Sequence, residues 1–154
     1  MKKIILLITF YFFYSCKEKN EVSVSKDESR DMKLSTTIDC SSEFEIFFRK
    51  FSQDSIFQKN SVKFPLIKLS YDYETSEKPV ISYLKSSKNY NYTNFSKDSE
   101  AMEKEYDKYQ IEKIRTKNGL IYKRIGYDNG IHISYEFQII EGCWYLVKII
   151  DEST

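Results

Sequence analysis

His132 is the only histidine in the chain, and imidazole is the side chain best suited to general acid–base work near neutral pH. It stands two residues from Ser134 and four from Glu136, so all three share one face if the segment is a strand. Alternate side chains along a strand lie about 6.8 Å apart, whereas a serine–histidine–carboxylate relay needs hydrogen bonds of about 3 Å. The three residues therefore make no triad by themselves, and a polar outer or rim face is their expected role. His132 is still the one candidate for catalysis, with Asp72, Glu74 or Glu112 as carboxylates that a fold could bring beside it. Tyr127, Tyr135 and Trp144 are candidates for a ligand-pocket wall, although an ordinary sheet core uses the same residues and is the expected role. Tyr90-Asn91-Tyr92-Thr93-Asn94-Phe95 alternates rings with polar side chains and would make a contact surface if it formed an exposed loop. One histidine and no paired cysteine motif leave no expected metal site. Four glycines leave little room for a phosphate-cradling loop, and no cofactor is expected.

The three cysteines divide into two kinds. Lys2 and Lys3 precede an uncharged run from Ile4 to Phe13, and Tyr14 and Ser15 lead into Cys16. That is the layout of an export signal, with an apolar stretch shorter than the roughly 20 residues a spanning helix needs. Phe13-Tyr14-Ser15-Cys16 resembles the lipobox of bacterial lipoproteins, with Phe13 where leucine is usual. The resemblance implies acylation of Cys16, palmitate being the kind of chain attached, and cleavage before it. Several chains would anchor stably, since each buried CH₂ adds roughly 0.8 kcal/mol. Residues 1–15 are then a signal peptide. The expected location is the bacterial cell envelope, membrane-anchored and facing the periplasm or the cell surface. Cys40 and Cys143 belong to the body of the chain. An oxidising compartment would permit a bridge between them, but two unpaired, largely buried thiols are the expectation.

Charge excludes one class of partner. The formal net charge of +1 becomes −1 once Lys2 and Lys3 are removed, so no field draws the chain to nucleic acid. The expected partners are the membrane, through Cys16, and an envelope protein or small ligand.

Residues 16–38 are rich in Lys, Glu, Ser and Asp and show no persistent period. They read as a tether of about 22 residues spanning roughly 25–30 Å. Residues 39–154 read as one domain, and the chain's 13 Tyr and 11 Phe, all but five of them beyond the signal, argue against global disorder. Phe44, Phe47, Phe48 and Phe51 mark one face of a helix, and Ser42 with Glu45 fits a capping box. A second helical turn is expected over Asp54 to Gln58, with Ile56 and Phe57 pointing inward. Phe64 to Tyr73 is extended, Ile67, Leu69, Tyr71 and Tyr73 alternating with Lys68, Ser70 and Asp72, and Val80 to Leu84 is its short partner. Asp98 to Tyr109 carries helix formers in its middle. Four β-rich runs follow, separated by Asn118-Gly119, Asp128-Asn129-Gly130 and Glu141-Gly142, which are good hairpin turns. In the third run Ile131, Ile133, Tyr135, Phe137 and Ile139 share a face. The last is apolar on both faces, with Cys143, Tyr145, Val147 and Ile149 on one and Trp144, Leu146 and Ile150 on the other, so it belongs inside the sheet.

The fold class expected is α+β: an N-terminal helix packed in a curved antiparallel sheet that ends in a four-stranded meander. Gly142-Cys143-Trp144-Tyr145-Leu146, followed by Lys148 and Asp151, resembles the last strand of nuclear-transport-factor-2-like, or cystatin-like, cones. Asp54-Ser55-Ile56-Phe57-Gln58 and Phe64-Pro65-Leu66 resemble an uncharacterised family of Bacteroidetes lipoproteins with a domain of unknown function on that cone. The family brings no assigned activity. The expectation is a non-enzymatic envelope module that binds a protein or a small molecule. The alternative is a small-molecule lyase or isomerase using the cone's cavity, with His132 inside it. A subunit of a larger envelope complex would instead show an apolar patch on the sheet.

Overall fold

Phe44, Phe47, Phe48 and Phe51 are all buried on one side of α1 (Phe44–Gln53), as their spacing requires. The computed structural model describes residues 40–71 and 78–154; Cys16, the tether, and Asp72, Tyr73 and Glu74 lie outside the described residues. The helix rings pack on the sheet, with Phe51 5.2 Å from Phe137, Phe44 5.1 Å from Trp144 and Phe48 4.6 Å from Tyr122. Tilted and edge-on pairs at such separations add about 0.5–1.5 kcal/mol each beyond the area they bury. Ser42 and Glu45 do not form the expected box. Glu43 is the N-cap without a side-chain bond, and the Ser41 hydroxyl accepts its N–H at 3.2 Å instead. Helix α2 (Ser55–Asn60) starts at Asp54, whose carboxylate accepts the Ile56 and Phe57 N–H groups at 2.9 Å each. Adjacent helix positions point different ways, so Phe57 packs on the core while Ile56 is 72% exposed.

The sheet contains β1 (Val62–Ser70), β2 (Val80–Leu84), β3 (Tyr109–Thr116), β4 (Gly119–Gly126), β5 (His132–Ile140) and β6 (Cys143–Asp151), in the order β2-β1-β6-β5-β4-β3. β3 to β6 are the expected antiparallel meander; at the last turn Gly142 adopts φ +82°, a conformation that suits glycine. β6 lies inside the sheet, as its apolar faces predict, and β1 is its parallel neighbour. That pair is the one departure from antiparallel order among the described strands. It closes the edge that β6 would otherwise leave open.

Two strands face differently from the simple alternation. Glu136 pairs with Lys148 and Phe137 with Leu146, so Val147 is an extra residue in β6. Such a bulge reverses parity: Trp144 and Leu146 face the core before it and Ile149 after it, which moves Ile149 off the face expected for it. Ile139, one step from the hairpin turn, is exposed rather than buried. In β1 the core-facing residues are Phe64 and Leu66, not Ile67 and Leu69, and this places Lys68 on the core side.

No α-helix forms over Asp98 to Tyr109. A 3-10 turn (Asp98–Glu100) leads into irregular turns, because Asp98 and Ala101 are both drawn inward and tertiary contacts override local propensity. Cys40 and Cys143 are disulfide-bonded, with Cα atoms 4.9 Å apart. This overturns the expectation of two unpaired, buried thiols: Cys40 is exposed and Cys143 half-buried, where the chain entering α1 passes the start of β6. The Trp144 indole N–H donates to the Ser42 carbonyl at 3.1 Å and fastens the same two segments.

Candidate functional site

Residues 86–100 cross the concave side of the sheet as a strap, and Gln58 pins them. The Gln58 amide is fully buried and spends its bonds on the strap and on α1. Its Nε2 donates to the Phe51 and Thr93 carbonyls at 2.9 and 2.8 Å, while its Oε1 accepts from the Thr93 N–H at 2.8 Å and the Tyr90 hydroxyl at 3.0 Å. The Tyr92 hydroxyl donates to the Ser52 carbonyl at 2.7 Å. Tyr90 and Phe95 are therefore core residues, and only the middle of the expected contact surface reaches solvent.

The far end of the strap is held by charge. Asp98 and Arg124 form a pair whose side chains are only 4% and 12% exposed. Arg124 Nη2 donates to Asp98 Oδ1 at 2.8 Å and Nε to Oδ2 at 3.0 Å, a bidentate fork. The hydroxyls of Tyr109 and Tyr122 donate to the same two oxygens, each at 2.8 Å. Behind the fork, the guanidinium lies 4.6 Å from the Phe95 ring centre and 5.5 Å from that of Tyr135. Burial, then the Asp98 hydrogen bond, pushes the Tyr109 phenol up to about 12. Burial raises Tyr122 and Tyr135 as well. Burial works against the Arg124 charge, but Tyr135 and Asp98 outweigh it and hold the guanidinium above its ordinary value.

One cleft of about 580 Å³ opens beside this cluster, between α1, the strap and β3–β4. Phe48, Phe95, Ile111 and Tyr122 make its apolar lining, and Gln53 and Asp98 are among its polar groups. Lys113 also lines it and pairs with Glu45 at 2.8 Å. Size and lining suit a small amphipathic ligand. Both Asp98 oxygens already hold two donors each, which saturates the carboxylate as a base and makes it a latch between strap and sheet.

The residues singled out in the sequence do not converge here. His132 lies on the face opposite the core-facing Ile133, lines none of the described cavities, and has Nδ1 3.5 Å from Glu152. Glu112 is exposed, and Asp72 and Glu74 lie outside the described residues. Tyr127 is 62% exposed and Trp144 is core, so neither walls the cleft; Tyr135 touches the Arg124 end only, accepting from Nη1 at 3.4 Å. Asp98, Arg124, Tyr109 and Gln58 had no signal in local spacing, since the partners that join the strap to the rest stand 11 to 35 residues away. Among the described residues no group of three or more His, Cys, Asp or Glu could hold a metal ion, and no helix is long and apolar enough to cross a membrane.

Neither family models nor curated proteins give a match to this sequence. Solved structures do. An ntf2-like protein from Bacteroides fragilis matches with TM-score 0.51 at 21% identity, over 75% of this chain and 49% of its own. A cystatin-like protein from Bacteroides caccae matches with TM-score 0.53 at 20% identity, over 71% of this chain and 76% of its own. The chain thus spans about half the length of the first. At these identities the likeness establishes the fold: the chain has the α+β cone of ntf2-like and cystatin-like proteins.

Proposed function

We propose that the chain is a cell-envelope lipoprotein held on a membrane through Cys16, and that its domain is a binding module for a small amphipathic molecule. The observation that carries the binding reading is the cleft of about 580 Å³ beside a saturated carboxylate. An apolar lining with a few fixed polar groups favours holding a ligand. The lyase or isomerase alternative needs a free acid or base in that cleft, and its candidate, His132, sits elsewhere. The edge strand β2, where Val80, Ile81 and Tyr83 are exposed, favours an envelope protein as a second partner, since an open edge can accept another strand.

Full-length protein expressed in a bacterium tests both parts. Wild-type protein should incorporate labelled palmitate and Cys16→Ala should incorporate none; a wild type that takes up no label would sink the anchor. Mass spectrometry of small molecules co-purifying with the wild type should reveal a species that Gln53→Trp, which fills the cleft from its rim, no longer carries. Identical contents in the two preparations would remove the cleft from the reading.

A further inference from the structure

Lys68 is a charge on the wrong side of a strand. Phe64 and Leu66 precede it at the same parity and pack into or against the core, and its sheet neighbours are Ser82 in β2 and the core-packed Ile149 in β6. A lysine turned toward the core face is a known way to blunt an exposed sheet edge. That does not account for this one, because β1 is the second strand and β2 is the edge. Lys68 forms no ion pair among the described residues, and Asp151, farther along β6, is engaged by the Ser153 N–H at 3.1 Å.

Lys68 instead lines a second cleft, of about 330 Å³, on the other side of the strap. Asn89 and Asn91 stand on its strap wall, and neither side-chain amide has a hydrogen bond among the described residues. Each amide offers two donors and an acceptor. Leu84, Ile149 and Tyr90 supply an apolar wall. The strap side is set in place by the Gln58 bonds to Tyr90 and Thr93, so little ordering is required when something binds.

We infer that this second cleft binds a small hydroxylated anion of about one sugar ring, with Lys68 meeting the charge and Asn89 and Asn91 meeting the hydroxyls. The exposed ammonium suits an anion, carboxylate or phosphate ester. The two exposed amides, without partners among the described residues, suit neighbouring hydroxyls, and the apolar wall suits the carbon face. This site stands apart from the cleft at Asp98 and from any anchor at Cys16, so it survives or fails independently of both.

The test is titration of the full domain, disulfide intact, with glucuronate, glucose 6-phosphate and glucose, followed by NMR of the Asn89 and Asn91 side-chain amides. Glucuronate, glucose 6-phosphate or both should shift these resonances saturably, and which of them does so identifies the anionic group. Glucose should bind at least about tenfold more weakly, the ratio expected when one charge-assisted hydrogen bond is lost. Lys68→Gln, at an exposed position, should weaken the anions by a similar factor while leaving the backbone spectrum intact. No saturable shift with either anion would overturn the site, as would glucose binding equally well or anion binding unchanged in Lys68→Gln.

Discussion

Replacing Asp98 by Asn removes one charge and hardly any volume from the latch between strap and sheet. Two opposite charges 4 Å apart attract by about 4 kcal/mol at an effective dielectric of 20, a fair value for a pair this sheltered. The amide keeps one oxygen for the Tyr109 hydroxyl and Arg124 Nη2, but its NH₂ then faces two donors, the Tyr122 hydroxyl and Arg124 Nε. Hydration recovers part of the loss, and Arg124 keeps its stacking on Phe95 and Tyr135. A net cost of about 3–5 kcal/mol follows, the usual range when one partner of a buried pair is removed. Lys113→Ala, at the exposed pair with Glu45, should cost no more than about 1 kcal/mol. Urea denaturation at pH 7 with matched m-values measures both. The double variant Asp98→Ala, Arg124→Leu should be less destabilised than Asp98→Ala alone, because no unpaired buried charge is left. A loss in Asp98→Asn as small as that in Lys113→Ala would refute the latch.

Alkaline stability should follow the tyrosines. Tyr109 titrates near 10 when unfolded and is pushed up to about 12 in the fold, so the folded state holds the proton more tightly. Its contribution is complete below pH 10 and is lost as pH rises from about 10 to 12; Tyr90, Tyr122 and Tyr135 shift the same way. The urea midpoint should fall over that window, and a flat profile would contradict it. Cleaving the Cys40–Cys143 bond should cost up to about 4–5 kcal/mol, because it closes a loop of 103 residues in the unfolded chain; reduction with an unchanged denaturation midpoint would show that the bridge contributes nothing. Gln58→Ala should release the strap, and amide hydrogen exchange at Thr93 should speed up well beyond that in β5. Equal changes at both places would mean general loosening instead.

The sequence by itself determined what periodicity carries. Four phenylalanines at helical spacing put α1 on a sheet, and three glycine-containing turns marked the meander within a residue or two. These signals are local, so one-dimensional spacing suffices. Parity failed where a single unit of register decides it: the Val147 bulge reversed β6, and β1 turned Lys68 rather than Leu69 toward the core. Only the tertiary structure decided the candidate sites. Asp98 looks like the start of a helix until Arg124, 26 residues on, and two tyrosines claim its oxygens. Cys40 and Cys143 look like separate buried thiols until the first helix lays its entry against the last strand. Pairings across such separations depend on which surfaces the fold brings together, and local spacing says nothing about that.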